Sequence, residues 1–287
     1  MTDPPVRAER VDAELGIREE VEFFDAGAVR LFGCRHLPLG AVLGGLVICS
    51  PILSDFGANY SREVRLARRL ATAGVAVQRF HPRGTGQSDG DRLDLTFDTL
   101  VADSAAAVVR LREAVDVPAV ALLGTRFSAL AAAAVGRDLP GAPIALWEPT
   151  TEPGRFFRDG FRARSVHHLR RGAAGIDPAA ELAAQGYVDL LGIPVSRALV
   201  ETPAHHDLLT EMGDGPRPVL LVQFEAGSDL TRPYREAVAR WTAAGFPVTA
   251  RLCPTDETWW FVHDRLAPVE AVLDPTADWL LAAVAPT

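Results

Sequence analysis

The sequence predicts an α/β fold with a mostly parallel central sheet, flanking helices and an inserted helical cap. Buried apolar runs of strand length alternate with helical segments, one strand leads through a tight turn into an alanine-rich helix, and the alternation lapses mid-chain. With 287 residues, 48% of them hydrophobic and 23% charged, the chain is long enough to bury a substantial core.

The first elements are expected to be antiparallel. A polar lead-in runs to about Glu20, and two short strand-like runs follow at 21–24 and 29–34. Ala26 and Gly27 separate these two runs. This pattern predicts a β-hairpin.

A parallel sheet is predicted next. Strand-like runs that are apolar on both faces alternate with helical segments, which is typical of strands covered by helices on either side. The predicted strands are 46–49, 75–80, 117–123, 143–147, 219–224 and 248–253, and the predicted helices are 61–73, 95–115, 235–244, 269–283 and one starting near residue 129.

The alternation lapses between residues 148 and 215, a stretch rich in Arg, His and Gly. Open parallel sheets bind ligands at the carboxyl ends of their strands, so we interpret this stretch as a helical cap over that edge. The predicted organisation is a core over 1–150, a cap insertion over 151–216, and the rest of the core over 217–287.

The turn after the 117–123 strand has the sequence GTRFS at 124–128. Small residues two before and two after its apex, between a strand and a helix, are typical of the G-x-S-x-G nucleophile elbow. The apex is Arg126, whose guanidinium stays protonated and has no lone pair for attack. Ser128 holds the place of the trailing small residue, where the turn requires only little bulk.

These features resemble the α/β-hydrolase superfamily, in which a D-x-x-G-x-G-x-S loop matches HPRGTGQS at 81–88, with His81 in place of Asp. Further motifs are similar to the hydrolase-like proteins of the exosortase A system, where a serine nucleophile is commonly missing. They are Ser50-Pro51, Asn59-Tyr60-Ser61-Arg62, Gly124-Thr125-Arg126, Leu146-Trp147-Glu148-Pro149 and Trp259-Trp260. The resemblance implies a shared architecture and a shared lack of nucleophile. It gives little information about activity.

Arg126 has two interpretations. It points into the pocket and binds a carboxylate, phosphate or developing oxyanion, with charge-assisted bonds of roughly 1.5 to 3 kcal/mol each. Alternatively, the turn has relaxed and Arg126 forms a structural ion pair with Glu148, Asp229 or another acid. Glu148 ends the neighbouring strand, so we expect it either to bind substrate or, preferably, to pair with Arg126.

His263 and Asp229 are the candidate catalytic pair, because the resemblance places a catalytic histidine and its acid after the last two strands. A histidine with a carboxylate behind it can act as a general base without any serine. The alternative is a surface histidine beside Asp264 and an aspartate that caps the helix starting near Thr231.

Four further residues are candidates for substrate contacts. Ser50 and Ser54 lie in the 50–56 loop, where the resemblance places half of an oxyanion hole. The alternative is that this segment is an ordinary proline-containing loop. Thr125 belongs to the elbow, and Trp259 belongs to the aromatic motif before the last helix.

Composition excludes several function classes. The net charge of −8, without any basic run, argues against nucleic-acid or anionic-membrane partners, and the absence of lysine excludes a Schiff base. Three widely spaced cysteines indicate neither a disulfide framework nor a metal site. We expect no signal peptide, no cofactor and a cytoplasmic location, and the abundance of Ala, Arg, Gly and Pro suggests a high-GC bacterial genome.

The sequence therefore leads to two hypotheses. The first is an enzyme that acts on a small carbonyl- or anion-bearing substrate by His/Asp general-base chemistry, through hydrolysis or acyl transfer, with a lyase or cyclase left open. The second is a catalytically silent protein that binds a ligand or a partner in a polysaccharide or secondary-metabolite pathway. A homodimer is compatible with either.

Overall fold

The computed structural model describes residues 7–172, 177–224, 227–253 and 270–284. Its main sheet has nine strands, mostly parallel, with helices on both faces. The α/β class that the sequence predicts is therefore confirmed.

The predicted hairpin is confirmed, with Gly27 at its turn in the left-handed region at φ 68°. Its strands, β2 (Ile17–Ala26) and β3 (Val29–Pro38), are longer than predicted. The polar lead-in also contains a strand that was not predicted, β1 (Arg7–Asp12), which pairs antiparallel with β2. Its side chains are almost all exposed, so no apolar alternation marks it.

Strands and helices then alternate as predicted. The elements are β4 (Gly44–Cys49), α1 (Ser54–Thr72), β5 (Val75–Phe80), α2 (Phe97–Ala114), β6 (Val120–Thr125), α3 (Ser128–Arg137) and β7 (Ile144–Trp147). Every residue of these four strands is buried, which explains their apolar runs. Helix α1 begins at Ser54 rather than at residue 61, so the predicted 50–56 loop is shorter than expected.

The interval predicted as a cap, 151–216, contains helices and one hairpin that was not predicted. Its described elements are α4 (Pro153–Arg170), α5 (Pro178–Gln185), β8 (Tyr187–Asp189), β9 (Pro194–Ser196), α6 (Arg197–Glu201) and α7 (Leu208–Met212). Apolar side chains of this interval, among them Phe157, Leu182 and Val188, share one buried cluster with Phe127 and Leu130 of the elbow region. The interval therefore packs directly on the elbow.

The chain returns to the sheet through β10 (Val219–Phe224), α8 (Arg232–Ala243), β11 (Val248–Cys253) and α9 (Glu270–Val284). The strand order is β1-β2-β3-β5-β4-β6-β7-β10-β11, with the last six parallel to one another. Helices α1 and α9 pack on one face of the parallel part, and α2 and α3 pack on the other. Within the described ranges, no helix has the length and apolar character to cross a membrane.

Strands β4, β6 and β7 are adjacent and parallel, so the residues after them meet at one edge of the sheet. Leu53 follows β4, Arg126 follows β6 and Glu148 follows β7. All three have positive φ, at 58°, 55° and 46°. This edge is where the backbone is strained.

Candidate functional site

The elbow keeps its tight geometry around Arg126. The Arg126 N–H donates to the Trp147 carbonyl at 2.8 Å, and the Arg126 carbonyl accepts from Ala129 and Thr150 at 3.2 and 3.1 Å. A φ of 55° on a residue with a side chain costs about 1 to 3 kcal/mol. The turn has therefore not relaxed, although Arg126 does form an ion pair with another acid, as the second interpretation expected.

Gly124 explains why the strand and helix can meet so closely. A Cβ at this position would lie 2.6 Å from the Ala129 Cα and 2.8 Å from the Ser128 carbonyl oxygen. Both are backbone atoms, which cannot move aside as a flexible side chain can. The small residue before the apex is thus a steric requirement of the turn.

Arg126 forms an ion pair with Asp55, in the first turn of α1. The Arg126 Nε donates to Asp55 Oδ2 at 3.2 Å, and the guanidinium carbon lies 5.7 Å from the centre of the Phe156 ring. Burial raises the pKa of the Asp55 carboxyl, although the neighbouring Arg126 charge opposes the rise. The acid that pairs with Arg126 is one that the sequence did not single out.

The ion pair opens onto a cavity of about 140 Å³. Its wall is formed at the sheet edge by Leu53, Ser54, Asp55 and Arg126, and on the cap side by Phe156, Asp159, Gly160, Ala163, Leu190, Leu191 and Ile193. A wider groove of about 970 Å³ lies between β2 and α2 but shares no lining residue with it. The small cavity therefore combines a charged pair with a largely apolar wall.

Backbone strain is concentrated around this cavity. Within the described chain, the non-glycine residues with positive φ are Leu53, Arg126, Glu148 and Leu191. Three of them line the cavity, and Glu148 ends the strand next to the elbow. Strained residues of this kind cluster at ligand and active sites, because the surrounding structure must hold them in place.

The hydroxyl groups near the elbow are poorly placed for attack. Thr125 and Ser128 are fully buried, and neither hydroxyl has a hydrogen-bond partner among the described residues. Ser50 is also buried and donates to Glu63 Oε2 at 2.7 Å. Ser54, in contrast, is exposed at the start of α1 and lines the cavity.

Glu148 has well-defined contacts on the side of β10. One carboxylate oxygen accepts from the Phe224 N–H, and the other accepts from the Tyr234 hydroxyl at 3.0 Å. These bonds tie the end of β7 to β10 and α8. Arg126 forms an ion pair with Asp55, and the pairing of Glu148 with Arg126 that the sequence favoured stays a prediction.

His81, which stands where the resembling family has an acid, is neutral at physiological pH. Burial and the nearby Arg79 charge lower its pKa to about 4. The ring packs against Phe32, Phe56 and Tyr60, and its Nδ1 accepts from the Gln87 N–H at 3.2 Å. It therefore shapes its loop without carrying charge.

The predicted catalytic pair is only partly visible. His263 and Trp259 lie outside the described residues. Asp229 is exposed in the segment between β10 and α8, with Ser228 Oγ 3.3 Å from its Oδ2. Helix α8 has Thr231 as its N-cap residue, so Asp229 does not occupy the capping position.

Solved structures with the same architecture include the esterase Est1E from Butyrivibrio proteoclasticus with bound ferulic acid, at a TM-score of 0.66 and 18% identity over 91% of this chain and 98% of that one. The esterase domain of a Rhodothermus marinus protein matches with a TM-score of 0.57 and 20% identity, over 93% of this chain and 99% of that one. Alpha/beta hydrolase domain-containing protein 10 from mouse matches with a TM-score of 0.58 and 16% identity, over 91% of this chain and 98% of that one.

No protein-family model matches the sequence, and a search of curated protein sequences finds no significant match. The structural similarities, at this level of identity, report the fold. The chain therefore has the α/β-hydrolase fold that the sequence resemblance implied.

Proposed function

We propose that the protein is a cytoplasmic enzyme that binds a small carbonyl- or anion-bearing substrate at Arg126. It would transform that substrate, by hydrolysis or acyl transfer, without a covalent acyl-enzyme. The observation that carries this proposal is the strain around the elbow cavity: three positive-φ residues, Leu53, Arg126 and Leu191, line it together with the Arg126–Asp55 pair. Strain held in a folded protein favours a site that is used.

Arg126 would bind the polar group of the substrate. Its guanidinium lies at the elbow apex, where related hydrolases place the attacking oxygen, and its donors suit a carboxylate or a developing oxyanion. The apolar side chains of Leu53, Phe156 and Ile193 would enclose the rest of the molecule. Ferulic acid, which Est1E binds, combines a carboxylate with an aromatic ring and is a suitable first probe.

Proton transfer would fall to His263 and Asp229. An imidazole oriented by a carboxylate can take a proton from water or from substrate directly. Glu148, Ser50, Ser54, Thr125 and Trp259 remain proposed contacts around the substrate. A lyase or cyclase reaction would use the same two roles, charge binding and proton transfer.

The test is binding of ferulic acid to the Arg126→Met variant, measured by calorimetry. Loss of one to two charge-assisted bonds should weaken binding about 10- to 100-fold. Arg158→Met is the matched control, because Arg158 is exposed on α4 and does not line the cavity. Equal affinity in wild type and Arg126→Met would remove Arg126 from the site.

A second candidate is a catalytically silent binding protein. It is favoured by the buried Thr125 and Ser128 hydroxyls and by the arginine at the apex, which leave the elbow without an attacking oxygen. The similarity to exosortase-associated proteins would place such a binder in a polysaccharide or secondary-metabolite pathway.

Turnover distinguishes the two candidates. An enzyme should lose turnover of methyl ferulate or a related ester in His263→Ala while keeping its fold, whereas a binder should respond only to changes at Arg126. In addition, a fluorophosphonate probe should leave the elbow unlabelled. Specific labelling there would restore an ordinary serine mechanism.

A further inference from the structure

A second cavity, of about 290 Å³, lies between the antiparallel strands β1 to β3 and helix α1. None of the residues that line the elbow cavity lines this one. Its wall carries a thiol, an imidazole and a carboxylate, from Cys34, His36 and Glu19. We call this space the thiol cavity.

Strand register brings these three groups together. Cys34 and His36 are two residues apart on β3, so their side chains emerge on the same face of the sheet. His36 is paired with Glu19 of β2, and Cys34 is paired with Arg79 of β5. Four groups from three strands therefore share one small patch beneath α1.

The three groups form a chain. Cys34 Sγ lies 3.6 Å from His36 Nε2, and His36 Nδ1 lies 2.9 Å from Glu19 Oε1. Arg68 holds the Glu19 carboxylate with two bonds, from Nε at 2.7 Å and Nη2 at 3.0 Å. The His36 Nδ1 contact with Glu19 has the distance of an ion pair without hydrogen-bond alignment. A proton on Nδ1 would leave the Nε2 lone pair free to accept from the thiol.

The thiol and the imidazole are both neutral at physiological pH. Burial raises the pKa of the Cys34 thiol and lowers that of His36. There is thus no preformed thiolate, and His36 would take the proton only as the sulfur reacts. Such a thiol is slow with reagents in bulk solvent and faster with molecules held in the cavity.

Arg79 provides a reason for a molecule to be held there. Its side chain is only 4% exposed, it lines the cavity, and its Nε has no hydrogen-bond partner among the described residues. Its neighbouring carboxylate is Glu63, 3.8 Å away, and burial raises the pKa of Glu63 to about 7. The Arg79 guanidinium carbon also lies 4.5 Å from the centre of the Tyr60 ring, and the buried Nε donor, which lacks an acceptor in the described part of the chain, favours an anionic ligand.

The backbone around Cys34 limits the chemistry. Cys34 lies inside β3, paired with β2 on one side and β5 on the other, so its backbone belongs to the strand ladders. Acyl transfer needs preorganised donors for an oxyanion, and the strand ladders leave no backbone amide beside Cys34 free for that role. Exchange at sulfur builds no oxyanion and requires only a thiol, a base and a disulfide.

We propose that the thiol cavity is a modification site for small carboxylate-bearing disulfides, with Cys34 as attacking thiol, His36 as base and Arg79 as carboxylate contact. The Cys34 S–H bond breaks and its proton moves to His36 Nε2. The Cys34 sulfur then bonds to one sulfur of the disulfide, whose S–S bond breaks. The leaving thiolate takes the proton from His36, which yields a mixed disulfide at Cys34 and one free small thiol.

Within the described part of the chain, Cys34 is the one cysteine that combines partial exposure with a neighbouring base. Cys49 and Cys253 are buried, and burial raises their pKa values to about 12 and about 11. The proposal therefore predicts one modified site in the native protein.

The test compares two disulfides of similar size and opposite charge, 3,3′-dithiodipropionate and cystamine, on the native full chain. Intact mass spectrometry follows adduct formation, and peptide mapping locates it. Cys34 should be the modified residue, and the dianionic reagent should react about tenfold faster than the cationic one, as expected for one charge-assisted contact. Equal rates, or modification at Cys49 instead, would overturn the proposal.

Three variants assign the roles. Cys34→Ser should abolish the adduct, and His36→Gln should slow both reagents about 100-fold while leaving their ratio intact. Arg79→Met should bring the ratio close to one. Because that ratio is internal to each protein, a moderate loss of stability does not obscure it, and a preserved preference in Arg79→Met would refute the role of Arg79.

Discussion

The elbow cavity and the thiol cavity contain complementary halves of a nucleophilic site. At the elbow, a strained turn presents a permanent positive charge, Arg126, where a nucleophile would be expected. In the thiol cavity, Cys34, His36 and Glu19 form a nucleophile, base and acid on regular strands. Among the described residues, neither region contains both the strained turn and the attacking atom.

This difference separates two functions of the elbow that usually occur together. A strained turn between a strand and a helix directs one side chain into the pocket, whatever that side chain is. Here it directs a charge, which favours binding of an anion or carbonyl. A thiol on a regular strand lacks such preorganised donors, which is why we assign it exchange at sulfur.

The largest expected effect is the loss of stability when a glycine of each region is replaced by alanine. Gly124→Ala should lower the free energy of unfolding by about 3 kcal/mol, because the new Cβ meets backbone atoms of α3. Gly33→Ala, beside Cys34, should cost less, about 1 to 2 kcal/mol, since its Cβ meets the buried side chains of Gln78 and Phe24 and no backbone atom.

Urea denaturation measures both changes, and Gly40→Ala, which meets nothing within 4 Å, is the control. Equal losses for Gly124→Ala and Gly33→Ala would mean that the elbow is no more constrained than the hairpin.

The sequence predicts the elbow well and the thiol cavity poorly, for physical reasons. The elbow depends on local features: a buried strand, small residues around Arg126 and an alanine-rich helix. The partner of Arg126 depends on the tertiary fold, because Asp55 precedes it by 71 residues. Asp55 lies in the first turn of α1, but the sequence predicted that this helix begins at residue 61 instead of Ser54. Asp55 was therefore assigned to a loop.

To predict the thiol cavity, one would need to know the register of the strands. The spacing of Cys34 and His36 on one strand was a visible signal that both face the same side. That Glu19 lies opposite His36, however, follows from where the hairpin turns and how far β2 and β3 extend. The predicted strands stopped short of both Glu19 and His36, so the cluster could not be assembled from the sequence.

Glu63 lies beside Arg79 of the thiol cavity and provides a pH test of the buried charges there. It accepts from Ser50 after β4 and lies 3.8 Å from Arg79 in the thiol cavity. Burial raises its pKa from 4.5 to about 7, so the folded state holds a proton that the unfolded state releases. Its contribution to stability is therefore full below pH 4.5 and is lost as the pH rises through 7.

Glu63→Gln should remove this loss. Between pH 5 and pH 8, wild type should lose on the order of 2 kcal/mol relative to the variant, as measured by urea denaturation at each pH. Parallel pH profiles for the two proteins would mean that Glu63 is already ionised in the folded state at pH 5.

The next test sharpens the role of charge at the elbow. Asp55 competes with any anionic ligand for Arg126, so Asp55→Asn should tighten ferulic acid binding about tenfold, or about 1.4 kcal/mol. Asp159→Asn is a matched control, because Asp159 lines the same cavity but is exposed. Weaker binding in Asp55→Asn would show that Asp55 orients Arg126 for the ligand instead of competing with it.

The smallest expected effect is that of replacing Ser128, the serine nearest to the elbow apex in the sequence. Ser128 is fully buried, and its hydroxyl has no hydrogen-bond partner in the described part of the chain. Removing an unsatisfied polar group is close to neutral, so Ser128→Ala should change the free energy of unfolding by less than about 1 kcal/mol and leave any esterase turnover intact. Cys34→Ser, in contrast, should abolish disulfide exchange in the other cavity. If Ser128→Ala eliminated turnover instead, the elbow would contain its own nucleophile, and the contrast between the two regions would no longer hold.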